Sequence, residues 1–329
     1  MMKRRDFLAG LAITTGAATL PRFAGAQAAP AKLRVGSCST RNPGGRGFLG
    51  AFGARMRELG YIEGQNLTLD YVDLQGQVER YGAAWQQLVE RNADILVAFG
   101  PEEALKAAMA ATKSIPIVMA AIDFDPFALG YVTSLARPTG NVTGIVLEQI
   151  ELAAKRLQLV RDAFPTIGKA MVFWDQLSAH QWRATRDNAA KFGFDLAGVE
   201  LHDYPYDYAR ALAQVPPEHR SFFFAMTSPL FARDSDRIVQ FTLLNRLPSV
   251  WVFRDYVDKG GLMSYGPNRT TMSRRLADYV HRIARGAKPG ELPIERPTIF
   301  ELVINLRTAK ALGLEFSQAM LLRADEVIE

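Results

Sequence analysis

Residues 94–102 read Asp-Ile-Leu-Val-Ala-Phe-Gly-Pro-Glu (DILVAFGPE). After Asp94 the run is apolar without alternation, the pattern of a parallel strand covered on both faces. Gly100, Pro101 and Glu102 then lead straight into a helix, whose free N–H groups favour an anion. A strand that ends at the start of a helix is the unit of a doubly wound sheet, so this stretch sets the fold class as α/β.

Working outward, the same alternation recurs on both sides. Residues 33–37 read as a first strand, followed by Phe48, Phe52, Met56 and Leu59 at helical spacing with Gly60 as a stop. Leu67, Leu69 and Tyr71 alternate as a second strand, and Val78, Tyr81, Trp85, Leu88 and Val89 form the stripe of a second helix. Apolar strands at 115–122 and 141–147 complete the unit. A long helix over 148–163 precedes a second set of strands at 170–174, 194–201, 221–226 and 249–253, with helices around 180–192, 207–214 and 234–245 between them. A helix near 272–285 and a strand near 300–305 follow. The pattern predicts two doubly wound parallel-sheet lobes with a cleft between them and a hinge of several crossovers. Residues 29–147 with about 265–290 make one lobe, and 148–264 with about 291–329 the other.

Composition narrows the function. The chain has 329 residues, 48 % hydrophobic and 22 % charged, which excludes a disordered chain or a coiled coil. Cys38 is the one cysteine, so no intramolecular disulfide and no cysteine-rich zinc site is expected. His180, His202, His219 and His281 lack ligand spacing, and no metal is expected.

Residues 1–28 read as an export signal: Lys3, Arg4 and Arg5, then a mild apolar stretch from Phe7 to Leu20, then Ala26-Gln27-Ala28 as a cleavage site. Arg4-Arg5-Asp6-Phe7-Leu8 favours the twin-arginine route over the general secretory one, with cleavage near Ala28 and a periplasmic destination. This segment carries a net +3 of the whole chain's +5, leaving about +2, so no nucleic-acid partner is implied.

Ligands of open parallel sheets bind beyond the carboxyl ends of the strands. Those ends carry Ser39 and Arg41, Gly100 and Glu102, and Asp123 in the first lobe, with Trp174, Asp175, Ser228 and Arg254 in the second and Tyr265 near the crossover. Hydroxyls, helix N-termini and arginines suit a carboxylate, Glu102 or Asp123 an ammonium, and Trp174 or Tyr265 an aromatic face. Each also has a structural reading: strand-end Asp and Ser often cap helices, Arg254 beside Asp255 reads as a surface pair, and Trp174 as core. On the ligand reading, Trp174→Ala weakens binding with little change in melting temperature. Gly45, Gly47 and Gly50 fit G-x-G-x-x-G, yet Gly45 lies well beyond the first strand, so no cofactor is expected. No nucleophile motif appears, and the chain does not read as an enzyme.

Several runs resemble one known family. They are 52–66 (FGARMRELGYIEGQN), Asp125-Pro126, 134–144 (SLARPTGNVTG), 260–268 (GGLMSYGPN), 297–306 (PTIFELVINL), 309–314 (AKALGL) and 321–327 (LLRADEV). In order, they resemble the ABC-transporter solute-binding proteins of the tryptophan and aromatic amino-acid branch. The resemblance implies a type I periplasmic-binding-protein fold, an extracytoplasmic location, and delivery of a small-molecule solute to an ABC transporter permease; a monomer is expected. The ligand loops depart from the family: Pro101-Glu102-Glu103 replaces a hydroxyl residue and Pro-Ala, Asp123-Phe124-Asp125-Pro126-Phe127 replaces Gly-Asp-Pro-Val, and Trp174-Asp175-Gln176 replaces Trp-Asn-Pro. The alternative functions are an exported NAD(P)- or flavin-dependent oxidoreductase and a periplasmic sensor domain.

Overall fold

The computed structural model describes residues 32–40, 48–147 and 149–329; the export signal and Arg41 lie outside them. The first sheet contains β1 (Leu33–Ser39), β2 (Leu67–Asp73), β3 (Ile95–Gly100), β4 (Ile117–Ile122) and β5 (Val142–Leu147), in the order β2-β1-β3-β4-β5. All its pairings are parallel. Its central strand β3 is buried along its whole length, as an uninterrupted apolar run requires. Helices α1 (Phe48–Glu58), α2 (Tyr81–Glu90) and α3 (Glu102–Ala111) connect the strands. The α2 stripe holds: Tyr81, Trp85 and Leu88 are buried, and the Trp85 indole N–H donates to Ala104 O at 3.0 Å.

The second sheet has seven strands: β6 (Lys169–Trp174), β7 (Asp195–Glu200), β8 (Phe223–Phe224), β9 (Ser249–Trp251), β10 (Met263–Pro267), β11 (Phe300–Asn305) and β12 (Glu326–Ile328). The order β7-β6-β8-β9-β10 repeats the winding of the first sheet, and β11 and β12 extend it. One pairing differs from the expected parallel pattern: β10 runs antiparallel to β11. Helices α4 (Gln149–Ala163), α5 (Ala179–Ala189), α6 (Tyr208–Gln214), α7 (Pro229–Arg233), α8 (Ser235–Leu244) and α9 (Arg254–Asp258) lie between the strands. They are followed by α10 (Arg269–Ala284), α11 (Leu306–Leu312) and α12 (Gln318–Leu321).

The chain returns to the first sheet after β10. Helix α10 buries Met272, Leu276, Tyr279 and Val280 in the same core as Phe52 and Met56 of α1. Leu292 and Ile294 also pack into the cores of the first sheet, and Glu295 bridges to Ile145 of β5 before β11 rejoins the second sheet. The first sheet therefore has two cores, one of them closed by a helix that follows a strand of the second sheet. Among the described residues no helix is long and apolar enough to cross a membrane.

Candidate functional site

The reversals of strand order, between β1 and β3 and between β6 and β8, open crevices at the carboxyl ends of the strands. The two sets of ends face one another. A narrow cavity with free space of about 30 Å³, room for a water or two, lies between them, so the gap is nearly closed. Phe99, Gly100, Pro101, Ile122 and Asp123 line it from the first sheet. Leu177, Thr227, Ser228, Pro229, Ala232, Phe253 and Tyr256 line it from the second, and Arg269 lies at the passage between the two.

Polar contacts tie the walls together. Gln181 of α5 donates through Nε2 to Asp123 Oδ2 at 2.7 Å, and its Oε1 accepts from the Thr227 backbone N–H at 2.8 Å. Asp123 adopts φ +75°, unusual for a residue with a side chain. Burial pushes its carboxyl up to about 8, against the opposing pull of the Gln181 bond and the Arg156 charge. At the edge of the cleft, Arg233 of α7 donates to Thr40 O at 3.0 Å and pairs with Asp73 Oδ1 at 2.9 Å. Gly76, at φ +85°, lies against Tyr204, where a Cβ would stand 2.8 Å from the ring. Only glycine permits that approach.

Arg269 is 7 % exposed. Its guanidinium lies over the rings of Phe253 (5.1 Å) and Phe99 (6.0 Å), and Nη1 pairs with Asp255. Its Nε and Nη2 are buried without a hydrogen-bond partner.

Of the residues singled out from the sequence, the cavity gathers Gly100, Asp123 and Ser228. Gly100 takes φ +133°, and Ser228 caps α7 by accepting from Phe231 N–H. The others lie elsewhere. Asp175 is buried in a closed network: Ser178 Oγ (2.8 Å) donates to Oδ1, and Tyr206 OH (2.8 Å) and Ser228 Oγ (2.6 Å) to Oδ2. Burial raises its pKa while these bonds lower it. Trp174 is half-buried and stacks on Trp182 with centroids 6.4 Å apart. Arg254 pairs with Asp258 and Glu326, which makes it part of a surface cluster. Tyr265 stacks on Phe300. Glu102 opens α3 and accepts from Tyr131 OH at 2.6 Å. Ser39 is buried at the end of β1, where its carbonyl accepts from Leu74 N–H.

Gln181 and Arg269 end no predicted strand, so the strand-end rule passes over them; Phe253 closes the predicted 249–253 strand and is read there as strand alone. Asn268, the last residue of the 260–268 run, caps α10 and is the nearest sequence signal to Arg269. Of the glycine pattern, Gly45 and Gly47 lie outside the described residues, and Gly50 lies inside α1. Among the described residues no cluster of His, Cys, Asp or Glu could hold a metal ion.

The same architecture is found in known proteins. A tyrosine-binding protein of Clostridioides difficile (strain R20291) is 24 % identical over 275 residues, covering 82 % of this chain and 76 % of that protein. A conserved domain protein of Vibrio cholerae is 25 % identical with a TM-score of 0.79, over 91 % of this chain and 99 % of its own. An ABC domain from Streptococcus pneumonia solved in complex with L-Trp is 20 % identical with a TM-score of 0.77, over 91 % and 100 %. These likenesses fit the fold of a type I periplasmic binding protein. Residues 47–328 match the family model described as ABC transporter substrate binding protein, and with that match spanning most of its length the chain belongs to that family.

Proposed function

We propose that this protein captures a small polar or aromatic solute between its two lobes, outside the cytoplasmic membrane, and delivers it to an ABC transporter permease. The lobes of this reading are those the sequence suggests, and the protein acts as a monomer that needs no cofactor. The observation that carries it is the cavity bordered by both sheets and bridged by the Gln181–Asp123 bond. A cavity this narrow admits a solute only when the lobes part, and a solute touching both walls favours the closed form. The rings of Phe99, Phe253 and Tyr256 would cover an apolar face, and Asp123, Thr227 and Ser228 offer polar partners. The tyrosine-binding relative and the L-Trp complex support a solute of amino-acid size.

A thermal-shift screen of amino acids, aromatic acids and other small metabolites tests this. A solute at 100 times its Kd stabilises by about 2.7 kcal/mol, which raises the melting temperature clearly. Native mass spectrometry of the freshly purified protein should also detect a retained solute. A screen without a single shift, together with a protein that carries nothing, would contradict the proposal.

A further inference from the structure

We propose that Arg269 is the carboxylate receptor of the cleft, so that the solute carries a free carboxylate which accepts from its Nε and Nη2. The proposal rests on the solute-binding reading above and deepens it. A guanidinium presents its donors only along its edges, in the plane. Here the guanidinium carbon lies over the rings of Phe253 and Phe99, and Asp255 occupies Nη1. The remaining edge, Nε with Nη2, is the one whose two parallel N–H groups match the two oxygens of a carboxylate. Both atoms are buried without a partner in a side chain that lines the cavity. Buried donors of this kind are nearly always satisfied, and an unsatisfied pair on a charged group is costly. A purely structural arginine would spend that edge on backbone carbonyls, as Arg161 does with Phe192 O and Gly193 O.

The position also links the contact to closure. Arg269 opens α10, which packs on the first lobe's α1; its Nη1 holds Asp255 of α9, and its two flanking rings come from β3 and from the segment after β9. A carboxylate seated on it lies where both lobes and a crossover meet. It therefore acts on the form in which those rings converge.

The test uses matched probes on the whole protein: L-tyrosine with L-tyrosinamide and tyramine, L-tryptophan with L-tryptophanamide and tryptamine, and benzoate with benzamide. Calorimetry and thermal shift measure each set. The expected result is that acids bind about 10- to 100-fold more tightly than their carboxylate-free partners. Arg269→Gln should bring that ratio to within about 2-fold, and Arg269→Lys, which keeps the charge without the fork, should restore only part of it. Should Arg269→Gln fail to fold, the fall in the ratio for Arg269→Lys decides. Equal binding of acid and amide by the unaltered protein, or a ratio that survives both variants, overturns the proposal and leaves the solute-binding reading standing. If no probe of any class shifts the melting temperature and the purified protein carries no solute, that reading fails and the proposal fails with it.

Discussion

Asp123 and Asp175 each follow the last residue of a strand, the first half-buried and the second buried, and desolvation raises the pKa of both, yet their surroundings differ in kind. Asp175 receives three hydroxyl donors from its own lobe, and the Asp175–Ser178 capping box completes the turn. Asp123 faces the cavity and accepts from Gln181 of the opposite lobe. Arg269 extends the contrast, with two donors left without partners in the same cavity. A polar cluster that stabilises a fold satisfies itself, whereas one built for a visitor leaves bonding capacity in the gap.

The sharpest way to break this comparison is to remove each carboxyl in turn. Asp175→Ala strands three buried hydroxyls and should lower the unfolding free energy by about 3 kcal/mol in urea titration. A loss under about 1 kcal/mol would show that the network is not structural. Asp123→Asn should instead change the pH dependence. The folded carboxyl titrates at about 8, against an unfolded value of 3.8, so the folded state holds a proton that the unfolded state has released between those limits. Stability of the unaltered protein relative to Asp123→Asn should therefore fall as pH rises from about 4 to about 8, and stay level above. The change between pH 5 and 8 is at most about 4 kcal/mol, and less because Asp123 is only half-buried. Parallel pH profiles would mean that Asp123 is ionised in the closed cleft.

The smallest effect concerns closure alone. Arg233→Ala removes the contacts to Thr40 and Asp73 across the gap without touching either lobe's core. It should cost the closed form about 1 kcal/mol, weakening solute binding about 5-fold and increasing the radius of gyration measured by X-ray scattering. An unchanged radius with unchanged affinity would assign Arg233 to the surface only.

The fold was largely legible because parallel strands covered on both faces have to be apolar throughout, and 95–99 and 117–121 are. What escaped was the far edge of the second sheet. The antiparallel β10–β11 pair joins strands separated by helix α10, and β8 and β9 are too short to carry a period. At the site, the strand-end rule located the crevice and placed Gly100, Asp123 and Ser228 on its wall. It did not fix which way each side chain turns. Arg254 is drawn outward by Glu326, 72 positions away, and Trp174 is held in its stack by Trp182, so Trp174→Ala is expected to cost stability and spare affinity. Arg269 depends on Phe99 and Asp255, neighbours in space that no local pattern records.

Hydrogen–deuterium exchange with and without the tightest carboxylate from the screen tests the central claim most directly. Binding should slow exchange together at the β3–α3 junction, at the β8–α7 junction and at the start of α10, because one solute touches all three. Protection confined to one sheet, or absent from both, would contradict a solute held between the lobes.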